Sequence, residues 1–350
     1  MRAEQGIVVA GPPGIDSALE RLSASGQIGF PVEPLVIEVG GGHQAGSGAH
    51  GGAEPDLPHP APADPIPRHE GVRVLWRRGS APRGWIHRAL AALPDLAWMH
   101  SDFVGMDTVP LDELAARHVV VTNGVGNYSR PMAEWVVLAM LAGAKRLAHF
   151  VRQSDAGVWD PTPQLDELEG STALFLGLGS VGALAAPMAA ALGVQVVGVA
   201  RAPRPEPPPG VTRMVAADRW RTELPGADFV ICALPLTKET AGMIDAAALS
   251  AMKPSAWLIN VARGGLVDEE ALVKALDAGE IGGAVLDAFV KEPLPPGHPL
   301  WGRPNVLVVP HYTWASPRIM ARKDSLFAEQ LRAWVEGRPL ANQVDLAAGY

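Results

Sequence analysis

The sequence predicts a two-domain α/β protein built on parallel sheets, and three observations carry that prediction. Short apolar runs, among them Val72–Trp76 and Trp257–Val261, alternate along the chain with helix-length segments, the pattern of a parallel α/β sheet. The chain has 350 residues, enough to bury two substantial cores. A glycine turn, Gly177-Leu178-Gly179-Ser180-Val181-Gly182, stands between an apolar strand and a helical segment.

The elements follow in order. Ile7–Ala10 reads as a strand, Asp16–Ser25 as a helix and Leu35–Val39 as a second strand. From residue 40 to 70 the chain is rich in Gly, His and Pro and nearly free of large apolar residues. Such a composition cannot pack a core, so a mobile insertion is expected there. Its histidines, His43, His50, His59 and His69, are irregularly spaced; a plain insertion is the expectation, and a metal site the alternative. Order resumes with strand Val72–Trp76, helix Gly84–Ala92, strand Ala97–His100 and strand Val119–Thr122. One long helix is expected from Pro131 to about Val151, bridging the two domains. Pro131 suits a first helical turn, where its missing N–H costs little. Ser129 is either that helix's cap or a cofactor contact.

The second series runs Ala173–Leu176, Val194–Ala200, Phe229–Leu234, Trp257–Val261, Gly283–Leu286 and Val306–Val309. Six short runs with helices between them fit a doubly wound sheet. A final helix over about 317–336 is expected to return to the first domain.

Composition narrows the function. Hydrophobic residues make up 48% of the chain and charged residues 19%, with a net charge of −8. An acidic chain is a poor partner for nucleic acid or an anionic membrane. The single cysteine, Cys232, lies in an apolar run, so no internal disulfide and no cysteine-based zinc site can form; it reads as a small buried hydrophobe. No signal peptide and no apolar stretch of membrane-spanning length is evident, so a cytoplasmic location is expected.

The glycine turn carries the first chemical reading. Gly177 permits the tight turn and Gly179 lets the backbone approach a pyrophosphate. Gly182 lets helix and strand pack closely. The helix that follows, Ala183–Leu192, offers free N–H groups and a partial positive charge to phosphates at its start. This is the fingerprint of a Rossmann-type dinucleotide site. An NAD-preferring site usually ends its second strand in a carboxylate. Here Arg201 stands there, with Arg204 close by and no carboxylate before Glu206. A guanidinium suits a 2′-phosphate, so NADP is favoured over NAD. Two solvated loop arginines with NAD bound is the alternative.

Further motifs follow: Leu258-Ile259-Asn260-Val261-Ala262-Arg263-Gly264-Gly265, Asp287 with Lys291-Glu292-Pro293, and Val309-Pro310-His311. Together with Leu234-Pro235-Leu236-Thr237 and the ending Asn342-Gln343-Val344-Asp345, they make residues 95 to 350 resemble the D-2-hydroxyacid dehydrogenase family. The resemblance implies a Rossmann-type domain, 127–312, inserted in a flavodoxin-like substrate domain, 1–126, with 313–350 returning to the latter. It implies His311 as general acid–base, a role suited to a group that titrates near neutrality. Glu292 is then the partner of the other ring nitrogen, where a carboxylate favours the imidazolium. Arg263 is the clamp for the carboxylate and carbonyl of a 2-oxo acid. Cofactor contacts are implied at Gly177, Gly179, Ser180, Val181, Gly182, Arg201, Arg204, Leu234, Pro235, Thr237, Val261, Ala262, Arg263, Asp287 and His311, with Asp287 at the nicotinamide amide.

The resemblance also places backbone N–H groups near Val104 and Gly105 at the substrate carboxylate. Asp102 and Phe103 depart from the family's commoner small residues, and a carboxylate there would repel the substrate unless it points away. Trp314 is expected to shape specificity beside Arg263 and His311; Trp159 is a weaker candidate for the same pocket. The partner is then a small 2-oxo or 2-hydroxy acid, glyoxylate or hydroxypyruvate in first place, with no metal and a homodimeric assembly. Formate dehydrogenases, which are related, carry Gln where this chain has Glu292. The alternatives are a short D-3-phosphoglycerate dehydrogenase, or a dinucleotide-sensing protein like the family's corepressors.

Overall fold

The computed structural model describes residues 7–37, 67–79, 85–161, 164–202 and 206–349. The described residues form two compact units. One holds those up to Asn127 and from Ser316 onward; the other is Tyr128–Ala315. Most of the 40–70 insertion, with His43, His50 and His59, lies outside the described residues, as does Arg204.

The first unit carries β1 (Ile7–Gly11), α1 (Ile15–Ala24), β2 (Val32–Val36), β3 (Val74–Arg77), α2 (Trp85–Ala92), β4 (Trp98–Ser101), α3 (Leu111–Ala116) and β5 (Val120–Thr122). Its five strands are all parallel in the order β2-β1-β3-β4-β5, the flavodoxin-like order. The second strand starts earlier than the apolar pattern indicated. Pro34 sits within it, which an edge strand tolerates because one side of its backbone needs no ladder partner.

The second unit carries α4 (Ser129–Ala144), α5 (Leu147–Ala156), β6 (Thr172–Leu176), α6 (Gly182–Ala190), β7 (Gln195–Ala200), β8 (Arg213–Ala216), β9 (Phe229–Cys232), α7 (Ala246–Ser250), β10 (Trp257–Asn260), α8 (Glu269–Ala278), β11 (Gly283–Leu286) and β12 (Val306–Val308). These strands form one sheet in the order β12-β11-β10-β9-β6-β7-β8, parallel throughout. Strands β9, β10 and β11 are buried along their whole length, as expected for a sheet covered on both faces. Cys232 lies in that core, and burial pushes its thiol up to about 12.

Three expectations need correction. The single helix over 131–151 is two helices, because Arg146 takes the left-handed conformation with φ 51. Its guanidinium reaches the Gly282 carbonyl at 3.2 Å and lies over the Trp257 ring, contacts that no local periodicity encodes. Ser129 does not cap the helix: it is the first residue of α4, and Tyr128 occupies the cap position without a side-chain bond. The second sheet has one strand more than the apolar runs indicated. That strand, β8, buries only Val215 of its four residues, so its sequence carries little hydrophobic signal.

The last helix, α9 (Ile319–Glu336), belongs to the first unit. Phe327 stacks on Trp76 with ring centroids 3.7 Å apart, and Trp334 stacks on Trp98. Buried charge accompanies these rings. Asp324 pairs with Arg78, and Lys323 Nζ lies 3.8 Å from Asp102. Nearby, His100 is fully buried, with Nδ1 2.8 Å from the Thr122 hydroxyl. Burial lowers its pKa from the ordinary 6.5 to about 3.

The unfolded chain therefore binds a proton at residue 100 between pH 6.5 and 3 that the folded chain does not. Stability falls on acidification through that window, by at most about 1.4 kcal/mol per pH unit from this group. Urea unfolding of the parent and of His100→Gln between pH 7.5 and 4.5 is expected to give a flatter pH dependence for the variant. Equal slopes would show that His100 takes up its proton alike in the folded and unfolded states, contrary to its burial.

Candidate active site

Strand register sets out the second unit's site. Leu176, Cys232, Asn260, Leu286 and Val308 are register partners across five neighbouring strands. The glycine turn, the Leu234–Thr237 segment, Arg263, Asp287 and His311 all follow these residues closely, so they gather at the carboxyl edge of one sheet. Ligands of open α/β sheets bind at that edge.

The turn after β10 is built by Asn260, which is fully buried. Its side chain donates to the Arg263 carbonyl at 2.9 Å and accepts from the Ala262 N–H at 3.0 Å. Arg263 emerges half-buried, with one guanidinium N–H on the Ala262 carbonyl. Gly264 comes next. A β-carbon there would fall 1.9 to 2.3 Å from the Phe289 carbonyl and the Val290 nitrogen, so only glycine lets the two loops meet.

Glu292 stands three residues beyond that contact. One carboxylate oxygen accepts from the Phe289 N–H at 2.8 Å, and the other lies 2.8 Å from His311 Nδ1. A carboxylate only accepts, so Nδ1 carries the proton and Nε2 is left for chemistry. The His311 backbone is in the left-handed region, with φ 50. Its neighbours hold it there: the Trp314 indole N–H donates to the His311 carbonyl at 2.8 Å, and the Tyr312 N–H donates to Asp287 at 2.8 Å. Asp287 also accepts from the Thr313 hydroxyl. Burial pushes its carboxyl above the usual carboxylate range, with these hydrogen bonds opposing. Asp287, which the resemblance placed at the nicotinamide amide, thus anchors the loop after His311. Trp314 is edge-on to both Tyr128 and Tyr312.

The glycine turn fits a dinucleotide. Gly177 has φ 99, and a β-carbon there would fall 2.6 Å from the Ala233 carbonyl. At Gly182 one would fall 2.5 Å from the Gly177 carbonyl, whereas at Gly179 it would meet nothing within 4 Å. The first and third glycines are thus required by the protein itself, and the second faces open space. Helix α6 starts at Gly182, directing the first N–H groups of its turn, from Ser180 and Val181 onward, to the same edge. Arg201 is exposed at the end of β7, beside the strand that carries the turn. Leu234 and Pro235 follow β9, and the Thr237 hydroxyl donates to Glu239 at 2.7 Å. Val261 is buried and Ala262 half-buried within the Arg263 turn.

In the first unit, Asp102 points inward. It is fully buried and accepts from the Trp76 indole at 2.7 Å. Burial raises its carboxyl above the usual range, with Lys323 opposing. Val104 is exposed, and its carbonyl accepts from Asn123 at 3.4 Å; Gly105 is half-buried. Trp159 is almost wholly exposed. Two contributors escaped the sequence reading. Asn260 builds the arginine turn, and its signal was a polar residue closing an apolar strand. Glu269 bonds the Val290 N–H at 2.7 Å across 21 residues of chain, a contact that no motif spacing signals. Among the described residues no cluster of His, Cys, Asp or Glu suits a metal ion.

The profile described as D-isomer specific 2-hydroxyacid dehydrogenase, NAD binding domain, matches residues 137–313. A glyoxylate reductase of Thermofilum pendens is 36% identical over 70% of this chain and 74% of its own. A D-isomer specific 2-hydroxyacid dehydrogenase from Xanthobacter autotrophicus, solved in complex with NADPH and MES, is 31% identical with a TM-score of 0.75, covering 99% of each chain. An NADPH-dependent glyoxylate/hydroxypyruvate reductase from Sinorhizobium meliloti, solved with NADP and sulfate, is 27% identical with a TM-score of 0.75, covering 99% of this chain and 100% of that one. The motifs, the two parallel sheets and these similarities agree: the chain belongs to the D-isomer specific 2-hydroxyacid dehydrogenase family and is an NAD(P)-dependent oxidoreductase.

Proposed function

We propose that the protein reduces a small 2-oxo acid to the D-2-hydroxy acid with NADPH, and that glyoxylate or hydroxypyruvate is its substrate. The observation that carries this reading is the His311–Glu292 pair, 2.8 Å apart at the edge that also bears Arg263 and the glycine turn. The similar proteins named for glyoxylate and hydroxypyruvate reduction support the substrate. They do not favour the D-3-phosphoglycerate dehydrogenase alternative.

The nicotinamide, when bound, supplies the hydride. The protein's own work is to place and polarise the acid. Arg263 binds the substrate carboxylate and carbonyl oxygen, drawing electron density from the carbonyl carbon. His311 Nε2 donates a proton to the carbonyl oxygen as it gains charge. Glu292, on Nδ1, stabilises the imidazolium before the transfer and fixes the ring's orientation. In the reverse direction the neutral imidazole takes the proton back. Trp314, tied to the His311 backbone, borders the substrate and shapes specificity.

On the cofactor side, Gly177, Gly179, Ser180, Val181 and Gly182 hold the pyrophosphate. Leu234, Pro235, Thr237, Val261, Ala262 and Asp287 border the remainder of the dinucleotide. Arg201 and Arg204 grip the 2′-phosphate, which makes NADP the preferred form; solved relatives that bind NADPH and NADP support this. We read the protein further as a cytoplasmic homodimer. No described helix is long and apolar enough to cross a membrane, and sedimentation of the purified chain tests the dimer.

Steady-state oxidation of NADPH and NADH with a panel of 2-oxo acids tests the function. Turnover of glyoxylate or hydroxypyruvate is expected, with higher kcat/KM for NADPH. His311→Gln is expected to lose on the order of 10²-fold or more in kcat. Arg263→Ala is expected to lose turnover with a raised KM for the acid. Dinucleotide binding without turnover of any 2-oxo acid would favour the sensing protein instead, and equal efficiency with both cofactors would remove the role of Arg201 and Arg204.

A further inference from the structure

The Phe289–Val290 peptide lies between two groups that differ in kind. Its face rests on Gly264, with no room for a β-carbon. Its N–H, that of Val290, donates to Glu269 Oε1 at 2.7 Å. The adjacent Phe289 N–H donates to Glu292, whose other oxygen holds His311. Two successive peptides, joined at Phe289, thus connect the turn of Arg263 to the carboxylate that orients the imidazole, and Glu269 bonds the second of them from outside that pair.

Glu269 is held firmly enough to act as such a fixture. It opens α8, whose preceding residue, Asp268, caps the helix by accepting from Ala271 at 3.0 Å. Asp268 in turn donates its N–H to the Ile244 carbonyl at 3.0 Å. On the other side, His298 Nε2 lies 3.8 Å from Glu269 Oε2, within ion-pair reach. The Leu300 N–H approaches His298 Nδ1 at 3.4 Å. That nitrogen then accepts, and the ring proton sits on Nε2, facing Glu269. The Glu269 side chain is largely withdrawn from solvent, 17% exposed.

We infer that Glu269 is a positioning residue for the proton-transfer pair, acting through the Val290 N–H to hold the 289–292 loop so that Glu292 meets His311. Without that bond the loop keeps its contact with Gly264 but loses the anchor that fixes its angle. Glu292 then meets Nδ1 less well, and the imidazolium is less stabilised. Small displacements of reacting groups cost rate steeply, about 10²-fold for 1 Å. The ordinary alternative is that Glu269 merely favours the start of α8 by its charge.

The inference rests on the assignment of His311 as the acid, so the experiment reads the two separately. Three full-length variants, Glu269→Ala, Glu269→Gln and Glu269→Asp, are compared with the parent. The readouts are kcat/KM for glyoxylate against pH, thermal midpoint, NADPH affinity by fluorescence, and the pH titration of the His311 ring followed by NMR, its signal assigned by its absence in His311→Gln. In Glu269→Ala, kcat is expected to fall about tenfold, and both the alkaline limb of the profile and the ring titration to move to lower pH. NADPH affinity is expected to stay unchanged. Gln still offers a carbonyl to the Val290 N–H and is expected to restore most of both. Asp keeps the charge at the helix start but withdraws the acceptor by one methylene, so it is expected to behave like Ala; it also reads the same effect if Ala does not fold. An unmoved ring titration in Ala and Asp would overturn the inference, whatever happens to the thermal midpoint, as would a Gln variant as impaired as Ala. Full turnover by His311→Gln would instead overturn the assignment of the acid, and the NMR titration would still judge Glu269.

Discussion

The Glu292 carboxylate is shared between a backbone N–H of its own loop and the Nδ1 of His311, each at 2.8 Å, and the rest of the site is arranged so that this sharing can occur. The loop reaches its place because Gly264 leaves no β-carbon in the way. His311 reaches its place because it adopts a left-handed backbone conformation. Such a conformation costs of order 1–3 kcal/mol in a non-glycine residue and persists only where neighbours hold it. Asp287 and Trp314 are those neighbours, one bonding the N–H groups after His311 and the other its carbonyl. The sheet supplies the common origin, since the register of β10, β11 and β12 brings all three loops out at one edge.

The first unit solves a different problem. Its core encloses Asp102, Lys323, Arg78 and Asp324, all at most 8% exposed. Isolated buried charges would be very unfavourable, and pairing offsets much of that cost. The pairing joins α9 to the loop that carries Val104 and Gly105, because Lys323 and Asp324 belong to the helix and Asp102 precedes the loop. A carboxylate that looked hostile to an anionic substrate is therefore turned into the core, held by the Trp76 indole.

The sequence was legible wherever the chemistry repeats locally. Parallel strands buried on both faces appear as short apolar runs, and β9, β10 and β11 were readable for that reason. The glycine turn was readable because its first and third glycines each answer a separate steric demand of the fold, and the second leaves open space at the turn. Arg263, Glu292 and His311 were readable only as a set, since each alone resembles an ordinary surface or loop residue. What was not legible depends on contacts distant in the chain. The break at Arg146 is tied to Gly282 and Trp257. Strand β8 is an edge strand with one buried side chain. Glu269 gains its meaning from Val290, and Asp102 from Trp76 and Lys323, pairings that no motif spacing announces.

Everything proposed for the reaction turns on Glu292 orienting the His311 ring through Nδ1, 2.8 Å away. The direct measurement is kcat/KM for reduction of glyoxylate by NADPH as a function of pH, in the parent and in Glu292→Gln. The amide can still bond Nδ1 but no longer supplies the negative charge that favours the imidazolium. The variant is expected to show a lower plateau and an alkaline limb displaced to lower pH. Profiles that superimpose after scaling would contradict it, because the proton used in the reaction would then be insensitive to the carboxylate 2.8 Å from the ring.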